Sequence, residues 1–99
     1  MTPLTIKNIK KFRHDLKLGK VLIGGWVQIS NSNIIEIMSD ANYNWIALDM
    51  EHGSFSIGDL PDLFRAIEVK NKLSFVRLPS KNIEVCNQVL DAGCAGIII

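Results

Sequence analysis

The sequence has few of the residues that mark specialised classes of protein. It contains only two cysteines, Cys86 and Cys94, among 99 residues. They lack the spacing of a metal site and are too few for a disulfide framework, so we expect small buried thiols in a reducing compartment. Lysine and arginine number 11 against 10 acidic residues. This near balance argues against a nucleic-acid partner and against an anionic membrane surface.

Long apolar runs are absent as well. No stretch approaches the roughly 20 apolar residues that a membrane span needs. Residues 1–7 lack the apolar core of a signal peptide. The apolar fraction is nevertheless 47%, which is enough to bury a core and too high for a disordered chain. We therefore expect a soluble, cytoplasmic chain that forms one small domain.

Helical and strand-like patterns alternate along the whole chain. Residues 1–20 form a leading helix in this interpretation, and Gly19 stands where that helix would stop. Apolar runs predict four strands, at 21–29, 45–50, 73–78 and 95–99. Helical spacing predicts one helix in each interval, at about 34–41, 60–67 and 83–92. For the second helix, Asn33 and Glu36 resemble a capping pair, and the apolar face consists of Ile34, Ile35, Ile37, Met38 and Ala41.

The character of the strands indicates the fold class. They are near-continuous apolar runs, which is typical of a parallel sheet covered on both faces, and the strand–helix alternation matches repeated crossovers. Residues 96–99 are an apolar strand with no helix after it, and natural sheets avoid such an open edge. We therefore predict an α/β fold with parallel strands in the order 1-2-3-4. It would be the N-terminal part, about three and a half units, of a (β/α)8 barrel, so that residues 1–99 form an incomplete barrel domain.

Ionisable residues stand where two predicted strands end. Asp49, Glu51 and His52 follow one apolar run, and Arg77 ends the next. Burying charge is costly unless the charge is paired or used, and parallel strands carry their active sites at their carboxyl ends. His52 is a candidate general base. Arg77 either grips a substrate carboxylate or simply pairs with Asp49 or Glu51 on the adjacent strand.

Three other residues have weaker claims to a role. Trp26, at the same end of the first strand, is a pocket wall or a substrate contact. Lys81 follows the third strand and could form a Schiff base, although an exposed lysine is the more ordinary interpretation. His14 stands among lysines on the leading helix, and we expect it to be solvated.

With its motifs in this order, the chain resembles the HpcH/HpaI aldolase family, the metal-dependent aldolases that cleave 4-hydroxy-2-oxo acids to pyruvate and an aldehyde. The resemblance rests on residues 23–26, 45–52, 76–79 and 88–93. Met50, where many members carry glycine, is a departure that does not touch the reacting groups.

The resemblance implies roles for individual residues. His52 would be the general base, and Arg77 would hold the keto acid and stabilise its enolate. Asp91 would hydrogen-bond to His52 and raise its basicity, although Asp49 is the closer candidate in the sequence. Trp26 would contribute to substrate binding.

The resemblance also implies partners that these residues do not supply. A divalent metal such as Mg²⁺ or Mn²⁺ would act as the Lewis acid, with carboxylate ligands beyond Ile99, and Glu51 would at most touch a metal-bound water. The family works as a homo-oligomer. We predict that the parent protein is a metal-dependent, class II aldolase acting on a keto acid. The alternatives are a Schiff-base lyase and an inactive barrel fragment that only self-associates, and residues 1–99 alone are expected to be inactive.

Overall fold

The computed structural model describes residues 2–99. Its helices are α1 (Pro3–Lys17), α2 (Ser32–Ser39), α3 (Leu60–Glu68) and α4 (Ile83–Ala92). Its strands are β1 (Gly24–Val27), β2 (Trp45–Asp49), β3 (Leu73–Arg77) and β4 (Gly96–Ile98). A single 3-10 turn, Ile57–Asp59, leads directly into α3.

The four strands form one parallel sheet in the order β1-β2-β3-β4. Each strand is joined to the next by a segment containing a helix, the connection that neighbouring parallel strands require. The predicted fold class and strand order are therefore confirmed. Within residues 2–99, no helix combines the length and the apolar character needed to cross a bilayer.

Side-chain burial divides the sheet into two faces. The face toward α2, α3 and α4 carries the core, in which Ile46, Leu48 and Val76 are fully buried. The residues of α3 that meet this face are those of the predicted stripe: Leu60, Leu63, Phe64 and Ile67. Burying one such side chain contributes about 1.5–3 kcal/mol, so this face supplies most of the packing.

The opposite face alternates large and small side chains across the strands. Register places Trp26 beside Ala47, Ala47 beside Phe75, and Phe75 beside Gly96. A Cβ on Gly96 would stand 2.7 Å from the Phe75 ring, so glycine is required there. This face would be the inside of a barrel, where layers of side chains fill the interior.

Helix α1 packs at the amino ends of the strands. The ring of Phe12 meets Phe75 edge-on, with centroids 5.5 Å apart. The helix begins after Thr2, whose hydroxyl accepts from the Thr5 N–H, and Gly19 follows it with a φ of 77°. This positive φ explains why the helix stops at the predicted glycine.

Two predicted details of α2 are wrong. Helix α2 begins at Ser32 and is capped by Asn31, whose side chain accepts from the N–H groups of residues 33 and 34, so Asn33 and Glu36 are not its capping pair. Ile37 is 72% exposed, because the buried side of this short helix runs through Ile35 and Ser39, four residues apart.

Strand β1 is shorter than the predicted 21–29. It pairs with β2 alone, and register sets Gly24 opposite Trp45, where β2 begins. The apolar residues before Gly24 therefore have no strand opposite them to complete a ladder. Helix α4 has the predicted bounds, and Asn82 and Gly93 terminate it as N-cap and left-handed C-cap.

Candidate active site

The carboxyl ends of β1, β2 and β3 bring polar side chains together at one edge of the sheet. Asp49 and Arg77 are register partners at the last positions of β2 and β3. Trp26 on β1 is the register partner of Ala47, which stands two residues before Asp49 on β2. Its indole N–H donates to the Asp49 carboxylate. Side chains two residues apart on a strand share a face, so these residues all project from the inner face.

Asp49 is the centre of the cluster. Its side chain is 0% exposed, yet both of its oxygens have partners. Oδ2 accepts from Nε1 of Trp26 and Nε2 of Gln28, each at 3.1 Å, and lies 3.5 Å from Nη1 of Arg77. Oδ1 accepts from the backbone N–H groups of Glu51 at 3.0 Å and His52 at 3.1 Å. Every one of these partners is a donor, so the position suits an acceptor-only carboxylate.

The ionisation of Asp49 follows from these contacts. Burial by itself would raise the pKa of the carboxyl group. The hydrogen bonds from Trp26, the His52 N–H and Gln28, together with the charge of Arg77, outweigh burial and lower the pKa to about 2. Asp49 is therefore a carboxylate at neutral pH, and it fixes its neighbours rather than exchanging protons with them.

The loop after β2 is shaped by Asp49 and Gly53. The two backbone bonds to Oδ1 turn the chain so that His52 projects from the loop, with its side chain 59% exposed. The Gly53 N–H donates to the Asp49 carbonyl at 2.8 Å. A Cβ at Gly53 would collide with that carbonyl and lie 2.9 Å from the carbonyl of Gln28. Only glycine fits the close approach of these backbones.

Glu51 connects His52 to Arg77. Its Oε1 lies 3.2 Å from Nε2 of His52, and its Oε2 lies 3.2 Å from Nε of Arg77. The Arg77 guanidinium also stands over the Trp26 ring, 5.9 Å from the centroid, a distance within the range of a cation–π contact. Glu51 thus bridges the imidazole and the guanidinium at the same edge of the sheet.

Gln28 is a member of the cluster that the sequence analysis did not single out. It lies just past β1 and donates to Asp49 through its side-chain Nε2. Its backbone carbonyl accepts from the Ser54 N–H at 3.2 Å. Its spacing in the sequence indicates its place in the cluster, because Gln28 stands two residues after Trp26 and so shares a face with it.

Asp91 is not brought to His52 within the chain. It is exposed in the last turn of α4, and the segment after α4 returns to the start of β3, where the Ala95 N–H donates to the Ser74 carbonyl at 2.8 Å. The crossover therefore leaves Asp91 near the amino ends of the strands, at the opposite end from His52. Residues 2–99 make no hydrogen bond between Asp91 and His52, because a crossover helix runs antiparallel to its strands. The role that the resemblance implies for Asp91 stays a prediction.

Asp49 is not the ring partner of His52 either. It bonds the backbone of His52, and the group beside the imidazole is Glu51. Lys81 is exposed in the loop before α4, so no burial desolvates its amine in the way that Schiff-base lysines require.

Residues 2–99 bring together no group of three or more His, Cys, Asp or Glu side chains arranged to hold a metal ion. Asp49 does not fit that role, because both of its oxygens are engaged by donors, and Glu51 by itself is a single carboxylate. Cys86 and Cys94 are free thiols, and burial raises the pKa of Cys94 to about 11, so that thiol is not a nucleophile.

A separate cavity of about 100 Å³ lies at the other end of the sheet, where α1 meets the amino ends of the strands. Lys11 and Asp15 line it and form an ion pair at 3.2 Å. It is remote from the Asp49 cluster, whose edge is open rather than enclosed. In barrels, the amino-terminal end serves stability and the carboxyl end serves chemistry, so we place the candidate active site at the Asp49 cluster.

No family model matches the sequence. Individual proteins are similar to it in sequence. The chain is 26% identical over 91 residues to a hydroxypyruvate/pyruvate aldolase of Roseobacter denitrificans, a match covering 92% of the chain and 36% of the relative. It is 29% identical over 92 residues to a 4-hydroxy-2-oxovalerate aldolase of Novosphingobium aromaticivorans, covering 92% of the chain and 35% of the relative. The chain therefore spans about a third of the length of the curated relatives it matches.

Solved structures agree with the sequence matches. A citrate synthase variant superposes with a TM-score of 0.76 at 28% identity, over 89% of this chain and 37% of that one. An HpcH/HpaI aldolase/citrate lyase family protein from Burkholderia cenocepacia superposes with a TM-score of 0.72 at 28% identity, over 77% of this chain and 30% of that one. In sequence and in fold, the chain is related to the HpcH/HpaI aldolase family, as its motifs predict.

Proposed function

We propose that the full-length protein is an aldolase that cleaves a 4-hydroxy-2-oxo acid to pyruvate and an aldehyde. The observation that carries the proposal is the placement of His52 and Arg77 at one edge of the sheet, joined through Glu51 at 3.2 Å on either side. The relatives named aldolases support the reaction class.

The proposed reaction needs a base and a stabilised negative charge. His52 takes the proton of the C4 hydroxyl, the C3–C4 bond breaks, and the aldehyde leaves. The bonding electrons pass to the C2 carbonyl and give the enolate of pyruvate. The guanidinium of Arg77 stabilises the enolate oxygen, and protonation at C3 then gives pyruvate.

Trp26 and Asp49 support this chemistry without reacting. The Asp49 carboxylate holds the backbone of His52 and lies 3.5 Å from Arg77, so it fixes the separation of the base and the cation. The Trp26 ring lies under the guanidinium and forms a wall for the substrate. Preorganised groups of this kind lower the barrier because they need not reorient during the reaction.

Metal dependence is part of the proposal and rests on the resemblance alone. A divalent cation would supply a Lewis acid for the keto oxygen, with ligands from outside residues 2–99. Chelation separates this mechanism from the Schiff-base alternative. We expect EDTA to abolish activity and added Mg²⁺ or Mn²⁺ to restore it. Covalent trapping of pyruvate by borohydride, with activity indifferent to EDTA, would favour the lysine mechanism instead.

The direct test is product analysis with the full-length protein. A 4-hydroxy-2-oxo acid is incubated with the enzyme and divalent metal, and pyruvate and aldehyde are quantified separately. We expect equal amounts of pyruvate and aldehyde. Pyruvate without aldehyde, or no cleavage of 4-hydroxy-2-oxo acids of any chain length, would contradict it.

A further inference from the structure

Glu51 differs from Asp49 in how firmly it is held. The Asp49 carboxylate is fully buried and accepts four hydrogen bonds. The Glu51 side chain is 40% exposed, and its contacts are the imidazole of His52 and the guanidinium of Arg77. Displacing Asp49 would leave the Trp26, Gln28 and backbone donors without their acceptor, whereas Glu51 can swing into solvent at little cost.

The charges of the cluster leave no excess for an incoming anion. Arg77 is the one guanidinium, and two carboxylates lie beside it, Asp49 at 3.5 Å and Glu51 at 3.2 Å. A 2-oxo acid is itself an anion. It can gain a full ion pair with Arg77 only where one of these carboxylates withdraws, and Glu51 is the one free to do so.

We propose that Glu51 is a positioning residue that occupies the anion position of Arg77 until the 2-oxo acid displaces it. The proposal rests on the aldolase function proposed above. An anionic oxygen of the substrate takes the place of Oε2 at Nε of Arg77. Because the same carboxylate stands 3.2 Å from Nε2 of His52, its departure also releases that nitrogen from its carboxylate partner. Binding of the acid and release of Nε2 are thereby one event.

The test compares pyruvate affinity among variants of the full-length protein, by calorimetric titration in buffer containing Mg²⁺. Glu51→Gln keeps the shape of the side chain and removes its charge. We expect pyruvate to bind this variant about two- to fivefold more tightly, the range that a partly exposed ion pair supports. Glu36→Gln, an exposed glutamate on α2, is the matched control and is expected to bind pyruvate like the wild type.

The Arg77→Ala variant shows whether the gain in pyruvate affinity depends on Arg77. In Arg77→Ala, adding Glu51→Gln is expected to give no gain in pyruvate affinity. In steady-state kinetics, Glu51→Gln is expected to lower KM more than it changes kcat, a split that a merely structural role would not produce.

The outcomes separate this proposal from the one it rests on. If wild type binds pyruvate and Glu51→Gln binds it equally or more weakly, the displacement is wrong while the aldolase function stands. A gain that persists in the Arg77→Ala background would also overturn it. If neither wild type nor Glu51→Gln binds pyruvate, both proposals fall.

Discussion

Asp49 shows how one buried residue can organise a site without reacting in it. Five donors face its two oxygens: an indole, an amide, a guanidinium and two backbone N–H groups. In Asp49→Asn an amide nitrogen would face some of these donors. We expect this variant to lose about 2–4 kcal/mol of unfolding free energy, measured by urea denaturation. Asp62→Asn, on the exposed side of α3, is the control and should lose less than half as much.

The lowered pKa of Asp49 gives the stability a defined dependence on pH. A carboxyl whose pKa is lower in the folded state stabilises the fold above its unfolded pKa, near 4, and this stabilisation is lost as pH falls through the folded value. That value is about 2. We therefore expect wild type to lose stability between about pH 4 and pH 2, and Asp49→Asn to lack this part of the loss. Parallel acid titrations of the two proteins, with equal slopes, would contradict the assignment.

His52 carries the proton transfer in the proposed reaction. We expect His52→Ala to lower kcat roughly 10²- to 10⁴-fold, the usual contribution of a general base, with the fold intact because its side chain is 59% exposed. His14→Ala, also at an exposed histidine, should retain wild-type kcat. A His52→Ala variant as active as His14→Ala would remove His52 from the mechanism.

Among the structural elements, the loop after β2 sets the position of His52. Gly53→Ala would place a methyl group against the carbonyls of residues 49 and 28 and against the Phe55 ring. We expect this variant to lose about 1–3 kcal/mol of stability and most of its activity. Gly58→Ala is the matched control, because the nearest atom to its added Cβ is 3.9 Å away. Equal melting temperatures and activities for the two variants would show that the loop tolerates the methyl group.

The elements also show which features the sequence can predict. The stripe of α3 and the bounds of α4 follow from helical spacing and local caps, which act within a few residues. The extent of β1 depends on where β2 begins, and the pairing of the two strands is set by the tertiary structure. The cap of α2 does not follow from the sequence, because two asparagines, Asn31 and Asn33, compete within three residues.

The same distinction holds for the candidate site. The gathering of charged residues at strand ends could be predicted, because parallel strands share one carboxyl edge. The bridge through Glu51 and the participation of Gln28 could not, since both depend on side-chain positions. The resemblance links Asp91 to His52, but within this chain the crossover carries Asp91 to the opposite end of the sheet from His52.

At the scale of the whole molecule, the sheet exposes apolar surface at its β1 edge and on its inner face. Val21 is 85% exposed, Ile23 56% and Trp26 43%. Exposed apolar surface beside an open strand edge favours association. We expect residues 1–99, produced by themselves, to self-associate and to show no aldolase activity. Light scattering is the measurement, and a stable monomer that cleaves a 4-hydroxy-2-oxo acid would contradict both expectations.

In the proposed aldolase, His52 and Arg77 act on the same bound 2-oxo acid at the carboxyl edge of the sheet. A crystal structure of the full-length protein with pyruvate would show this arrangement. We predict pyruvate oxygens within about 3 Å of the Arg77 guanidinium, the distance of a charge-assisted hydrogen bond. His52 should face the methyl side of the same molecule, where the C3–C4 bond would have been. Pyruvate bound away from Arg77, or with its methyl group turned from His52, would contradict the claim.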